Sequence, residues 1–263
     1  MTAPSSVRVF AALALTLLCA WSSPVAAQAA PPANASEAHA AWARVLSGFV
    51  DARGEVDFAA LSRERGDLDR FVRFIADTPL QSLNDGDEKL AHMINAYNAL
   101  SMVNVVDSGI PASHAGLNKV RFFVLRRFDI GGQMMSLRSF ENDVIRPFAR
   151  ARGDPRVHFA LNCSALSCPA LPRVPFTAIA LDAELERESR AFFARPQNFR
   201  VDPTERAVWL NEILKFYSED FVPVPTPDLI AYANRYAPTP APADYAIHFT
   251  PYDWTIANSR RAR

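Results

Sequence analysis

Cys163 and Cys168 are the side chains in this chain best suited to covalent chemistry. They lie in the run Val157-His158-Phe159-Ala160-Leu161-Asn162-Cys163-Ser164-Ala165-Leu166-Ser167-Cys168-Pro169. Several readings of this pair stand open. A turn across the residues between them brings the two sulfurs into a structural disulfide. Alternatively, Cys163 stays reduced at the end of a buried apolar strand, where backbone N–H dipoles of a following turn favour a thiolate nucleophile. Along an extended strand, five residues span about 16 Å, which puts His158 out of reach as its base. The base then has to come through the fold, from His92 or His248, with Asn95, Asn98 or Asp253 as the orienting group. Cys163, His248 and Asp253 follow the chain order of papain-like and transglutaminase-like enzymes. That set would perform acyl transfer or hydrolysis on a peptide- or amide-like substrate. His158, Cys163 and Cys168 also have ligand types that suit zinc, but a closed tetrahedral site needs a fourth ligand, so no metal is expected. The last reading is a pair of reduced cysteines that simply pack.

A second group of polar residues points to binding. Asn95 and Asn98 sit three apart in a helical segment, where asparagine is a poor helix former, and both can face one side. They are expected to clamp a neighbouring backbone or to line a pocket, in one polar cluster with His158 near Cys163. Glu141 and Arg146 read as a buried ion pair, an anion site or surface charges. Tyr252-Asp253-Trp254 reads as an aromatic lock that holds the C-terminal strand.

The N-terminus suggests export. Arg8 is the only charged side chain before Glu37, and Val9 to Trp21 is an apolar run of signal-peptide length. Small residues at 25–29 offer cleavage after Ala27 or Ala29, so residues 1–29 are expected to be removed and the protein to be periplasmic or secreted. Cys19 would be discarded with them, leaving Cys163 and Cys168 in an oxidising compartment. The 28 basic and 28 acidic side chains balance, with no basic block, which argues against nucleic acid as the partner. The processed chain is not expected to be an integral membrane protein.

Periodicity then supplies the elements that must hold these groups. After a flexible lead over 30–40, Trp42, Val45, Leu46 and Phe49 form a helical stripe. Val56 and Phe58 make a short extended piece, and Asp67 opens a helix carrying Leu68, Phe71, Val72 and Ile75. A longer helix runs from Asp87 to Val106. Val120, Phe122 and Val124 alternate as a strand, and Gly131-Gly132 offers a hairpin turn. A short helix follows around Ser139 to Phe148, then the buried strand Val157 to Leu161. Thr177 opens another helix, and Phe199–Val201 pairs with Ala207–Leu210 across Asp202-Pro203-Thr204-Glu205. Helices over 211–221 and 227–236, the second capped by Thr226, precede a strand from Tyr245 to Phe249. The expectation is one compact α+β domain over 41–258, mainly helical with a small, mostly antiparallel sheet, ending in a basic tail at 259–263.

Several motifs in order resemble a known family. They are Ile94-Asn95-Ala96-Tyr97-Asn98-Ala99-Leu100, Phe140-Glu141 with Ile145-Arg146-Pro147, residues 154–163, Ser167-Cys168-Pro169 and Pro251-Tyr252-Asp253-Trp254. Together they resemble the domain of unknown function 547 family of bacteria and plants, over roughly residues 45–258, here in an exported bacterial form. The chain departs from that pattern at His92-Met93, where Phe-Trp is usual, and at Asn142, where histidine is usual. The resemblance implies no reaction or cofactor. Two functions remain: a thiol enzyme of the envelope, or a non-catalytic binding or assembly domain with a Cys163–Cys168 disulfide. Either would take a small-molecule or peptide ligand.

Overall fold

The computed structural model describes residues 35–84, 86–222 and 228–260. The expected signal peptide and the Thr226 cap lie outside these residues. Helix α1 (Ala35–Phe49) buries Trp42, Val45 and Leu46, the stripe expected from the spacing. Because it starts at Ala35, with Ala38 already buried, the expected flexible lead does not extend to residue 40. Helix α2 (Phe58–Arg63) is capped by Asp57, whose side chain accepts from the Ala60 amide. Phe58 is therefore the first residue of a helix, and only Val56 makes a strand-like bridge, to Val50 and Asn258. Helix α3 (Gly66–Asp77) packs on α1, with Trp42 stacked on Phe71 at 5.2 Å between ring centroids.

Helix α4 (Asp87–Asp107) is the central element, buried on every side from Leu90 to Val105. Asp87 and Glu88 in its first turn suit the positive end of the helix dipole. Its interior polar residues His92, Asn95, Asn98, Ser101 and Asn104 recur every third position and wind slowly around the helix. Four of them bond to segments outside α4. Asn95 holds Phe176 through its amide and carbonyl, at 3.1 and 2.7 Å. Asn98 holds Ala160 and Asn162, Ser101 meets Ser164, and Asn104 donates to the Phe122 carbonyl. Loops without ladder partners are satisfied in this way by side chains of one helix.

Helix α5 (Leu117–Val120) runs into a π-helical stretch, Arg121–Leu125. The strand expected at 120–124 is thus helical; apolar alternation over so few residues also fits a helix with one buried aromatic, here Phe122. Strands β1 (Arg127–Ile130) and β2 (Gln133–Ser136) form the expected hairpin around Gly131-Gly132. Gly131 has φ +61°, and a Cβ there would meet the Thr78 carbonyl oxygen at 2.7 Å, so this turn requires glycine. Helix α6 (Leu137–Ser139), a π-helical stretch at Phe140–Ile145 and helix α7 (Arg146–Ala151) follow without a break.

The segment expected as a buried strand, Val157–Leu161, is instead a 3-10 turn over Pro155–Phe159. Asp154 caps it by accepting from the Arg156 amide, and Pro155 occupies the first helical position, where its missing N–H costs nothing.

Helix α8 (Leu181–Phe193) starts after the expected Thr177, and Glu184 reaches back to accept from the Thr177 amide. Strands β3 (Phe199–Asp202) and β4 (Ala207–Asn211) pair antiparallel as expected. The single helix expected at 211–221 is two short turns, α9 (Ile213–Phe216) and α10 (Ser218–Phe221). Helix α11 (Leu229–Asn234) is capped by Asp228, and β5 (Ala246–Thr250) joins β4 in parallel.

The architecture is α+β: helices around α4, one two-stranded sheet, and one three-stranded sheet ordered β3-β4-β5. All described residues belong to one compact unit. Its core has two apolar clusters, one around α1, α3 and α4, the other around α8, β4, α10 and α11, and Tyr252 packs against both. Among the described residues, no helix is long and apolar enough to cross a membrane.

Candidate functional site

The 162–169 loop is held from inside and from outside. Inside, Asn162 accepts from the Ser164 amide at 2.6 Å and donates to the Pro169 carbonyl at 2.6 Å, bracing the loop across its width. Ser164 has φ +65°, a conformation that a residue with a Cβ adopts only when its surroundings force it. Outside, His114 Nε2 donates to the Cys163 carbonyl at 2.9 Å. Burial, partly opposed by that hydrogen bond, lowers the His114 pKa to about 4, so the ring is neutral and carries its proton on Nε2. Residues 253–257 complete the cover: Leu166 and Ser167 donate to the carbonyls of Thr255 and Asp253, and Ala257 donates to that of Ser164.

Within this loop Cys163 and Cys168 form a disulfide, with their α-carbons 6.2 Å apart. The Cys163 amide points at Cys168 Sγ, 3.1 Å away. The Tyr252 hydroxyl lies across both sulfurs, 3.1 Å from Cys168 Sγ and 3.6 Å from Cys163 Sγ. Burial, reinforced by the nearby Glu141 charge, pushes the Tyr252 pKa well up, so this hydroxyl remains a donor at neutral pH.

A small cleft of about 60 Å³ opens beside the disulfide, lined among others by Cys163, Cys168, Tyr252, His158, Glu141 and Tyr217. Glu141 is buried and accepts from Tyr97 at 2.8 Å and from Tyr217 at 2.6 Å. Burial and the Glu141 carboxylate both push these tyrosines up, so each keeps its proton. Glu141 lies in the π-helical stretch, a local widening often found at functional sites.

His158 stacks on Tyr217, with ring centroids 4.2 Å apart, and its Nε2 bonds Asp220 Oδ2 at 2.8 Å. Asp220 also accepts from Arg146 Nε at 2.8 Å and from Arg150 Nε at 3.0 Å. Burial alone would raise the Asp220 carboxyl, but the hydrogen bonds from His158 and the two arginines outweigh it and hold the group well below the usual carboxylate range. An ionised carboxylate only accepts, so His158 Nε2 carries a proton and donates it to Asp220.

The expected site residues are thus partly regrouped. Asn98 holds the chain at Ala160 and Asn162, while Asn95 holds Phe176 and accepts from Trp42 Nε1, so the two amides do not share one cluster with His158. Glu141 and Arg146 are not paired with each other: Glu141 serves two tyrosines, and Arg146 serves Asp220, Asn142 and Glu219. His248 is exposed on β5 and stacks on Trp209, outside the lining of the cleft that holds Cys163. Asp253 accepts from the Thr255 amide and ties its own backbone to Ser167. The histidine that shares a cleft with Cys163 is His158, because the 3-10 turn folds back the chain that an extended strand would have carried away.

The residues missed in the sequence are Asp220, Tyr217 and Tyr252 as site groups. Asp220 left one signal, a carboxylate set between the aromatic residues Tyr217 and Phe221. Among the described residues, no group of three His, Cys, Asp or Glu side chains is placed to hold a metal ion.

Residues 80–193 match the model of a family described as a protein of unknown function, DUF547. The matched span holds Asn95, Asn98, Glu141, Arg146, His158 and both cysteines, and leaves out Asp220 and Tyr252. No curated protein and no solved structure matches the chain.

Proposed function

Residues 80–193 match the DUF547 family, whose description names no activity, and we propose from the site itself that the protein is an exported thiol enzyme. It would transfer or hydrolyse the acyl group of a peptide- or amide-like substrate. The observation that carries this reading is the sharing of one cleft by Cys163 and His158, with His158 held through Nε2 by Asp220. Nucleophile, base and orienting carboxylate are then Cys163, His158 and Asp220.

In the reduced protein, His158 Nδ1 takes the Cys163 proton and the thiolate adds to the substrate carbonyl. The imidazolium returns that proton to the leaving amine, and water hydrolyses the thioester with His158 again as base. Tyr252 O–H, kept protonated, donates to the sulfur. The disulfide is the resting, oxidised form and suits the export expected from the N-terminus.

Burial of both cysteines favours a second reading, in which the disulfide only braces a binding domain. The test is reaction of the reduced mature protein with p-nitrophenyl acetate. An acyl-enzyme burst is expected, located on Cys163 by peptide mass, absent in Cys163→Ser and at least tenfold slower in His158→Gln. A folded, reduced protein with no burst favours the binding domain.

A further inference from the structure

Cys168 also borders a second, larger cleft of about 690 Å³, within the usual range for ligand pockets. Cys168 and Pro169 form part of its wall, and its rim carries Arg53, Glu55, Arg195 and Asp253. The two cysteines are not equivalent here: Cys168 lines both clefts, whereas Cys163 lines only the small one beside His158. Exchange at a disulfide proceeds by in-line attack of a thiolate on one sulfur, with the other sulfur departing.

We propose that the large cleft is the entry site for a dithiol reductant, which attacks Cys168 and frees Cys163 into the small cleft. The reductant's thiolate forms a bond to Cys168 Sγ, the Cys163–Cys168 bond breaks, and its electron pair leaves with Cys163. The reductant's second thiolate then attacks its own sulfur in the mixed disulfide and expels Cys168. The two electrons come from the reductant, which departs as a disulfide, and its two protons end on Cys163 and Cys168.

Tyr252 O–H lies within reach of both sulfurs, so it can donate to whichever one carries the negative charge. The mixed charge of the rim suits a polar, peptide-like carrier of the thiols. This inference concerns control of the proposed nucleophile, and it makes the oxidised chain latent and the reduced chain active.

The test needs no acyl substrate, so loss of the acyl-transfer reading would leave its outcome intact. Oxidised wild-type protein is mixed with reduced glutathione, quenched in acid, and the adduct mapped by peptide mass. The expected adduct is on Cys168, with Cys163 as the free thiol; an adduct chiefly on Cys163 overturns the proposal, as does a disulfide that resists both glutathione and dithiothreitol in the folded protein.

In a second measurement, Cys163→Ser and Cys168→Ser proteins are treated with glutathione disulfide and, separately, with iodoacetamide. Normalised to its iodoacetamide rate, Cys168 should react with the bulkier disulfide at least tenfold faster than Cys163. Equal ratios would mean that the large cleft confers no selective access. Reduction by dithiothreitol but not by a reduced Cys-X-X-Cys protein would assign the site to small dithiols, and reduction by both would admit a protein carrier.

Discussion

At the scale of single residues, the site is governed by which groups keep or lose a proton. His114 donates to the Cys163 carbonyl, and burial outweighs that bond to hold its pKa down to about 4, so the ring is neutral near pH 7. The unfolded chain binds that proton near pH 6.5, so between pH 6.5 and 4 the unfolded state carries more protons than the folded one. The contribution of His114 is therefore complete above pH 6.5 and is lost as pH falls toward 4, at up to about 1.4 kcal/mol per pH unit. His92, buried and likewise lowered to about 4, acts in the same direction. In His114→Gln, urea unfolding followed from pH 7 to 4 should show a shallower fall than wild type. An unchanged slope would show that His114 is not the titrating group. His114 carries no functional weight in the sequence and His92 enters there only as a candidate base for Cys163, because a lone histidine reveals its burial only through partners distant along the chain.

At the scale of elements, helix α4 does more than fill the core. Its every-third-residue polar series was present in the sequence, yet only Asn95 and Asn98 stood out there, since Ser101 and Asn104 look ordinary beside apolar neighbours. Removing the Asn98 side chain would leave the Ala160 carbonyl and the Asn162 amide buried without those partners. Asn98→Ala should then cost about 2–6 kcal/mol in chemical denaturation, from roughly 1–3 kcal/mol for each unsatisfied group. A loss below 1 kcal/mol would mean that water replaces the amide. The hairpins and long helices were legible because their periods persist or their turns are marked by glycine. The 155–159 turn was not, because Val157–Leu161 reads as an apolar strand unless Asp154-Pro155 is weighed as a helical start. That one turn moves His158 from a remote residue to the lining of the cleft that holds Cys163.

At the scale of the whole molecule, residues 253–257 act as a seam. The amides of Val56, His114, Leu166 and Ser167, from three separate regions, donate to the carbonyls of Ala257, Trp254, Thr255 and Asp253. Trp254 lies at the middle of this seam, 4.4 Å from the Tyr252 ring. In Trp254→Ala, these four amides should lose hydrogen-exchange protection together, while amides inside α4 keep theirs. Protection lost at one of the four alone would show that the seam does not open as a unit. Such a seam is hardly readable in a sequence, because its partners are defined by backbone groups that every residue carries.

Tyr252 follows Cys163 by 89 residues. At ribosomal speeds of about 5–20 residues per second, the cysteines emerge several seconds before the tyrosine that will cover them. During that interval both thiols are bare to any oxidant they meet, so the sulfur bond can form on an open chain and be sealed afterwards. On the proposed scheme, this order of emergence would let the sulfur bond be set before its cover is in place.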